Sequence, residues 1–204
     1  KEANTKLYRN WVNNILDWTS NQMNTNVNLL LQGPMAAYLR SNTTAFKCPA
    51  DNYLSAAQRA QGWTARTRSY SMNAFWGPYN SNPNDPNWPR GRNYWLPQYR
   101  QWIKLTQPSN PANSWLLIEE HPDSINEGYF INNVQATSWS DIPASIHNGA
   151  VNVTFADGHI ETHLWRGVSS RVPVKYSFGP TINFDALSRV DYRWLMDRTV
   201  VPYP

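Results

Sequence analysis

A single cysteine, Cys48, stands in 204 residues, so no disulfide can form within the chain and cysteine usage says nothing about redox compartment. With Pro49 and Asp51 beside it, Cys48 reads as a small buried thiol in a turn after a short strand. No stretch approaches the ~18–20 consecutive apolar residues of a membrane span. There is no Gly-x-Ser-x-Gly elbow, no glycine loop to cradle a phosphate and no histidine near Cys48 in sequence, which leaves nucleophilic and nucleotide chemistry without support. Charged residues make up only 16% of the chain, and the net charge is +4. The basic residues, Arg66, Arg68, Arg90, Arg92 and Arg100 among them, are scattered and accompany no nucleic-acid motif, so no nucleic-acid partner is expected.

Aromatic residues are abundant, with 11 Trp and 11 Tyr. Trp76, Trp88, Trp95 and Trp102 fall in a Pro- and Asn-rich region, where indole bodies are expected to pack over loops while each N–H finds a partner. Trp88 and Trp95 are kept as candidates for stacking on a sugar. The length suits one domain over residues 1–204, burying roughly 70% of its unfolded surface. Residues 77–97 carry five prolines and little periodicity, and read as a loop insertion; residues 166–204 read as a loop-rich C-terminal part.

Periodicity supplies the elements. Leu7, Trp11, Ile15 and Trp18 recur at spacings of about four, predicting a short amphipathic helix over residues 7–18. Residues 29–31 and 35–39 predict a second helical segment with Tyr38 and Leu39 directed inward. Residues 115–118 and 129–131 suit strands, while Tyr192, Leu195 and Met196 suit a final helix, with Asp185 and Asp191 as candidate starts. The fold class expected is α+β, an antiparallel sheet with long loops and short helices.

The most informative segment is SIHNGAVNVTFADGHIETHLW (145–165). Val151, Val153 and Phe155 alternate with polar residues, Asp157-Gly158 offers a two-residue type I′ turn, and Ile160, Thr162 and Leu164 resume the alternation, which predicts a hairpin. Ten residues of strand hold His147 and Asp157 roughly 25–30 Å apart. The two therefore form no dyad: His147 is expected to satisfy backbone groups at the strand entrance, and Asp157 with Gly158 to make the turn.

HNGAVNVTFADGH resembles the signature of pilin-like proteins with a His, nine residues and then Asp-Gly, found in planctomycete and verrucomicrobial bacteria. FKCPAD (46–51), RSYSMN (68–73), EEHPDSINEGYF (119–130), WSDIPASIHNG (139–149) and WLMDRT (194–199) follow in that family's order, so the resemblance covers the chain from about residue 11. It implies a pseudopilin-like fold whose N-terminal membrane helix is absent here, removed ahead of KEANTKLYRNW. It implies a structural subunit of a type IV pilus-like or type II secretion pseudopilus-like filament rather than an enzyme. Its partners would be other pilin-like subunits met through the missing helix. The helix would also be its sole membrane attachment, placing the domain in the periplasm or at the cell surface. An apolar groove on the sheet would then be expected, filled by a partner chain or by the segment around Trp11 and Trp18.

Other residue groupings bear on metal and acid-base chemistry. His121, His159 and His163 lie near carboxylates, but His159 and His163 on one strand stand about 13 Å apart, too far for one zinc. Asp123, Asn126 and Glu127, just before Gly128, offer oxygen ligands for calcium, although the loop is no EF-hand. Glu119 and Glu120 point to opposite faces of a strand and cannot flank one glycosidic bond; one of them should face the interior, and Glu120 with His121 suits a structural polar network. The alternatives are an aromatic-rich carbohydrate-binding module and a metal-dependent hydrolase.

Overall fold

A computed structural model describes residues 10–77, 91–178 and 182–204. Five strands form one mixed sheet: β1 (Tyr70–Asn73), β2 (Trp115–Glu119), β3 (Tyr129–Phe130), β4 (Ala150–Phe155) and β5 (Ile160–Leu164), in the order β3-β1-β2-β4-β5. The helices are α1 (Asn28–Leu31), α2 (Met35–Tyr38), α3 (Ala56–Ala60) and α4 (Ala186–Met196). The class is α+β as the periodicity predicts, but the sheet is not wholly antiparallel. β1 lies antiparallel to β2, and the chain reverses after β2, so β3, taking the far edge of β1, runs parallel to it. The other edge of β2 is occupied by β4.

Alternation along β4 decides what each side of this sheet touches. Val151, Val153 and Phe155 join Trp115, Ile118 and Phe130 in the main core, beneath Trp139, Trp165, Phe184 and the inner side of α4. Trp139 lies edge-on to Trp165, Phe184 and Tyr192, with centroids 6.1, 5.5 and 4.8 Å away, the favoured aromatic geometry. The indoles of Trp115 and Trp165 donate to Thr199 Oγ1 and the Ala144 carbonyl. Those of Trp18 and Trp139 have no acceptor among the described residues, against the expectation that every indole would find one.

Asp185 starts α4, its carboxylate accepting from the N–H groups of Leu187 and Ser188. A buried stripe of Ser188, Asp191, Tyr192, Leu195 and Met196 follows at helical spacing. Asp191 therefore does not start a turn. It sits mid-helix and accepts from Arg166 N and Gly167 N, fastening α4 to the exit of β5.

Three local expectations need correction. The described part of the 7–18 segment is not helical: its backbone N–H groups leave the segment, Asn13 donating to the Leu29 carbonyl and Leu16 to that of Asn126. Val12, Asn13, Asn14 and Leu16 are all buried, a run no helix stripe would give, and Leu7 lies outside the described residues. Tyr38 is 85% exposed, because Leu30 and Ala36 take the inward positions of α1 and α2. The hairpin forms, but its loop holds Ala156, Asp157 and Gly158. Gly158 N donates to Phe155 O, Phe155 N to His159 O, and among the three only Gly158 has a positive φ, 94°. This is a type I turn finished by a left-handed glycine, not type I′, since Ala156 takes the first turn position and leaves Asp157 free to accept from His159 N.

Residues 78–90, most of the anticipated 77–97 insertion and including Trp88, lie outside the described residues. Asp141 turns its carboxyl inward, where Oδ2 accepts from Ile131 N at 2.6 Å. Burial pushes that carboxyl up to about 8, partly opposed by the Ile131 N–H, with the Glu127 charge adding to the rise. The folded chain thus keeps a proton that the unfolded chain releases near pH ~3.9, so stability falls as pH rises from there to about 8. Thermal scans from pH 5 to 8 should show a declining Tm that flattens in Asp141→Asn; identical slopes in both proteins would contradict this assignment.

Candidate functional site

The sheet has a second face, built by the alternate residues. Register aligns Met72 with Leu117 and Tyr129, Leu117 with Thr154, Thr154 with Ile160, and Ala150 with Leu164. Met72, Leu117 and Tyr129 are half-buried, while Ile160 and Leu164 are 66% and 60% exposed. Apolar side chains thus stand on the side away from the aromatic core, with Thr154 between Leu117 and Ile160 and with Leu164 farther along β5 beside Ala150. The segment around Trp11 and Trp18 is engaged elsewhere: Trp11 stacks on Phe46 and donates to the Gly128 carbonyl, and Trp18 lies beneath the Arg66 guanidinium.

One end of this face is polar and closed. Glu119, last residue of β2, is wholly buried, and its Oε2 accepts from Asn152 N on β4 at 2.9 Å. Its Oε1 lies 2.8 Å from His147 Nε2, and the same nitrogen is 3.4 Å from Cys48 Sγ. Asp51 N donates to the Cys48 carbonyl in the tight turn that Pro49 opens, and burial pushes the thiol up. Burial, then the charge of Glu119, also raises the hydroxyl of Tyr70, the residue paired with Glu119 across β1.

His147 is thus not simply a strand-entrance residue satisfying backbone groups. Its N–H does donate to Ala150 O, but the side chain joins a thiol and a carboxylate that sequence reasoning had left apart. Cys48, Glu119 and His147 are the group among the described residues whose donor atoms could hold a metal, all within 4.8 Å of one another. Asp157, as expected, has no part in this: it pairs with His159 at 2.6 Å in the turn.

The remaining candidates are dispersed. His121 Nε2 meets Val172 O, and His163 stacks on Trp194. Asp123 Oδ2 accepts from Lys175 N and the carbonyls of Asn126 and Glu127 accept from Arg68 Nη2 at 2.9 and 2.8 Å, while the side-chain oxygens Asp123 Oδ1 and Asn126 Oδ1 are buried without a partner among the described residues. Trp95 is exposed beside Tyr94, the rings edge-on at 6.0 Å. Glu119 and Glu120 do point to opposite sides, yet both are buried. Glu120 accepts from Ser124 Oγ, and burial, then the nearby Asp141 carboxyl, push it well above the usual carboxylate range.

Compared with models of known families, with curated proteins and with solved structures, the chain matches none. No helix among the described residues is long and apolar enough to cross a membrane.

Proposed function

We propose that this chain is the globular part of a pilin-like or pseudopilin-like subunit, a structural component of an envelope filament rather than an enzyme. The observation that carries the reading is the set of apolar side chains Met72, Leu117, Ile160 and Leu164 on the sheet face opposite α4, the last two largely exposed. A sheet in a two-layer domain buries one face; a second face that exposes large apolar side chains calls for a further layer. A long apolar helix, laid across the strands and continuing into a membrane or a filament core, would supply that layer. The ordered strings from FKCPAD to WLMDRT support the same reading.

Two measurements test it. The gene's reading frame should encode a leader and an apolar helix upstream of Lys1. In cells that make the protein, Ile160→Asp with Leu164→Asp should leave the purified domain's melting temperature within a few degrees of wild type, since exposed changes usually cost under about 0.5 kcal/mol each. The same pair should abolish recovery of the subunit in sheared filament fractions. A frame lacking the helix, or a double variant that assembles normally, would overturn the proposal.

A further inference from the structure

We infer that Cys48, Glu119 and His147 form a binding site for one zinc-class divalent ion, with a fourth position open on the His147 side. The donors are a thiol sulfur, an imidazole nitrogen and a carboxylate oxygen, a set that suits zinc and its neighbours and not calcium or magnesium, which take oxygen. Thiolate and carboxylate together carry two negative charges, so the ion would sit as a neutral unit in a largely buried place.

Geometry separates this from nucleophilic catalysis. In a Cys-His-carboxylate relay the acid holds the ring nitrogen remote from the thiol, fixing the tautomer that takes the proton. Here Sγ and Oε1 both approach Nε2, at 3.4 and 2.8 Å. The three donors therefore surround one point instead of forming a chain. Tetrahedral bonds of about 2.0–2.3 Å place ligand atoms about 3.3–3.6 Å apart. The sulfur-nitrogen spacing already meets that, and the nitrogen-oxygen spacing needs to open by about half an ångström.

The outer contacts are in place as well. Glu119 is oriented by Asn152 N on its other oxygen, and Cys48 is held in its turn by the bond from Asp51 N to its carbonyl. Such partners hold first ligands in position and are worth about 10–100-fold in metal affinity. Cys48 and Glu119 are buried, while the His147 side chain is 30% exposed, so the ion would enter past His147, with water as its fourth ligand. The ligands come from a loop, the end of β2 and the approach to β4, so the ion would tie three segments together. None of this depends on the filament reading.

The test uses the whole 204-residue chain, stripped with a chelator and titrated with Co(II), then competed with Zn(II). The expected result is one ion per chain, with a thiolate-to-cobalt charge-transfer band and the intense visible bands of tetrahedral cobalt, both erased by zinc. Cys48→Ser should lose the charge-transfer band, and both it and His147→Ala should weaken binding by about 100-fold or more, at least the loss seen for outer contacts. His159→Ala, which changes the exposed turn, should bind as wild type does. A folded wild-type chain with no thiolate band, or a Cys48→Ser chain of unchanged affinity, would overturn the inference. Because the wild-type spectrum decides by itself, misfolding of a variant leaves the test intact.

Discussion

Replacing Arg68 with Met is expected to cost about 3–5 kcal/mol of folding stability, the range for removing one partner from a buried charge network. The guanidinium is wholly buried and makes five hydrogen bonds: to Asn14 Oδ1, the Tyr70 carbonyl, Ser71 Oγ and the carbonyls of Asn126 and Glu127. Burial lowers its pKa to about 10, opposed first by the Glu120 carboxyl. Methionine fills much of the space but donates nothing, leaving the Tyr70 and Glu127 carbonyls without a donor at about 1–3 kcal/mol each when unsatisfied, while the Asn126 carbonyl keeps Leu16 N. These bonds join the segment at residue 14, β1 and the approach to β3, so the loss should be felt on both sides of β1. In a domain of this size it corresponds to a Tm lower by about 6–20 °C. Urea denaturation checks it directly; a change below 1 kcal/mol would mean that water reaches those carbonyls. Lysine should rescue only in part, because a point charge cannot serve acceptors on so many sides of a planar fork.

Gly167→Ala should be comparably damaging for a steric reason. A Cβ there would lie 1.9 Å from Ser188 Oγ, 2.3 Å from Ser188 N and 2.4 Å from Ser188 Cα. The last two are backbone of α4, so the helix itself must move, and the cost should reach or exceed the roughly 3 kcal/mol upper end of ordinary overpacking. Moving it would also stretch the bonds from Gly167 N to Asp191 and from Ser169 N to Ser188. Near-UV circular dichroism of the Trp139 and Tyr192 cluster should weaken, and amide protection across α4 should fall. Adding Ser188→Gly removes one of the three clashes and should recover only a minor part; full recovery would show that the helix backbone was not the obstacle.

The legible parts of this fold are those whose pattern is local. Val151, Val153 and Phe155 announce β4 because a strand alternates its faces, and Asp185 with the later stripe announces α4 because a cap and a 3.6 period coincide. Near residue 11 a spacing of four misleads, since the amides of Asn13 and Asn14 are buried with Val12 and Leu16 and the backbone bonds go to distant loops. The parallel pairing of β1 and β3 is set by which strand claims the free edge of β2, and no periodicity encodes that.

The candidate site was the least legible part. His147 lies 99 residues from Cys48 and 28 from Glu119, and only strand register and the turn at Pro49 bring them together. A signal was nonetheless present: FKCPAD, EEHPDSINEGYF and the His-Asn-Gly string each contribute one donor. Cys48 has no histidine among its sequence neighbours, so its partners are visible only in the fold.

The bond from the Trp115 indole to Thr199 Oγ1, with Trp115 N donating to the Arg198 carbonyl, bears on how the chain is made. Strand β2 is central in the sheet, yet its first residue is secured by positions more than eighty further along. During synthesis, β1 and β2 leave the ribosome well before that anchor, and β2 must wait with one end unfastened and its apolar side chains uncovered. Contacts this remote slow folding and lengthen the time an unfinished sheet can meet another chain. Chaperone demand should therefore fall on the interval after β2 emerges and before residue 199 is free.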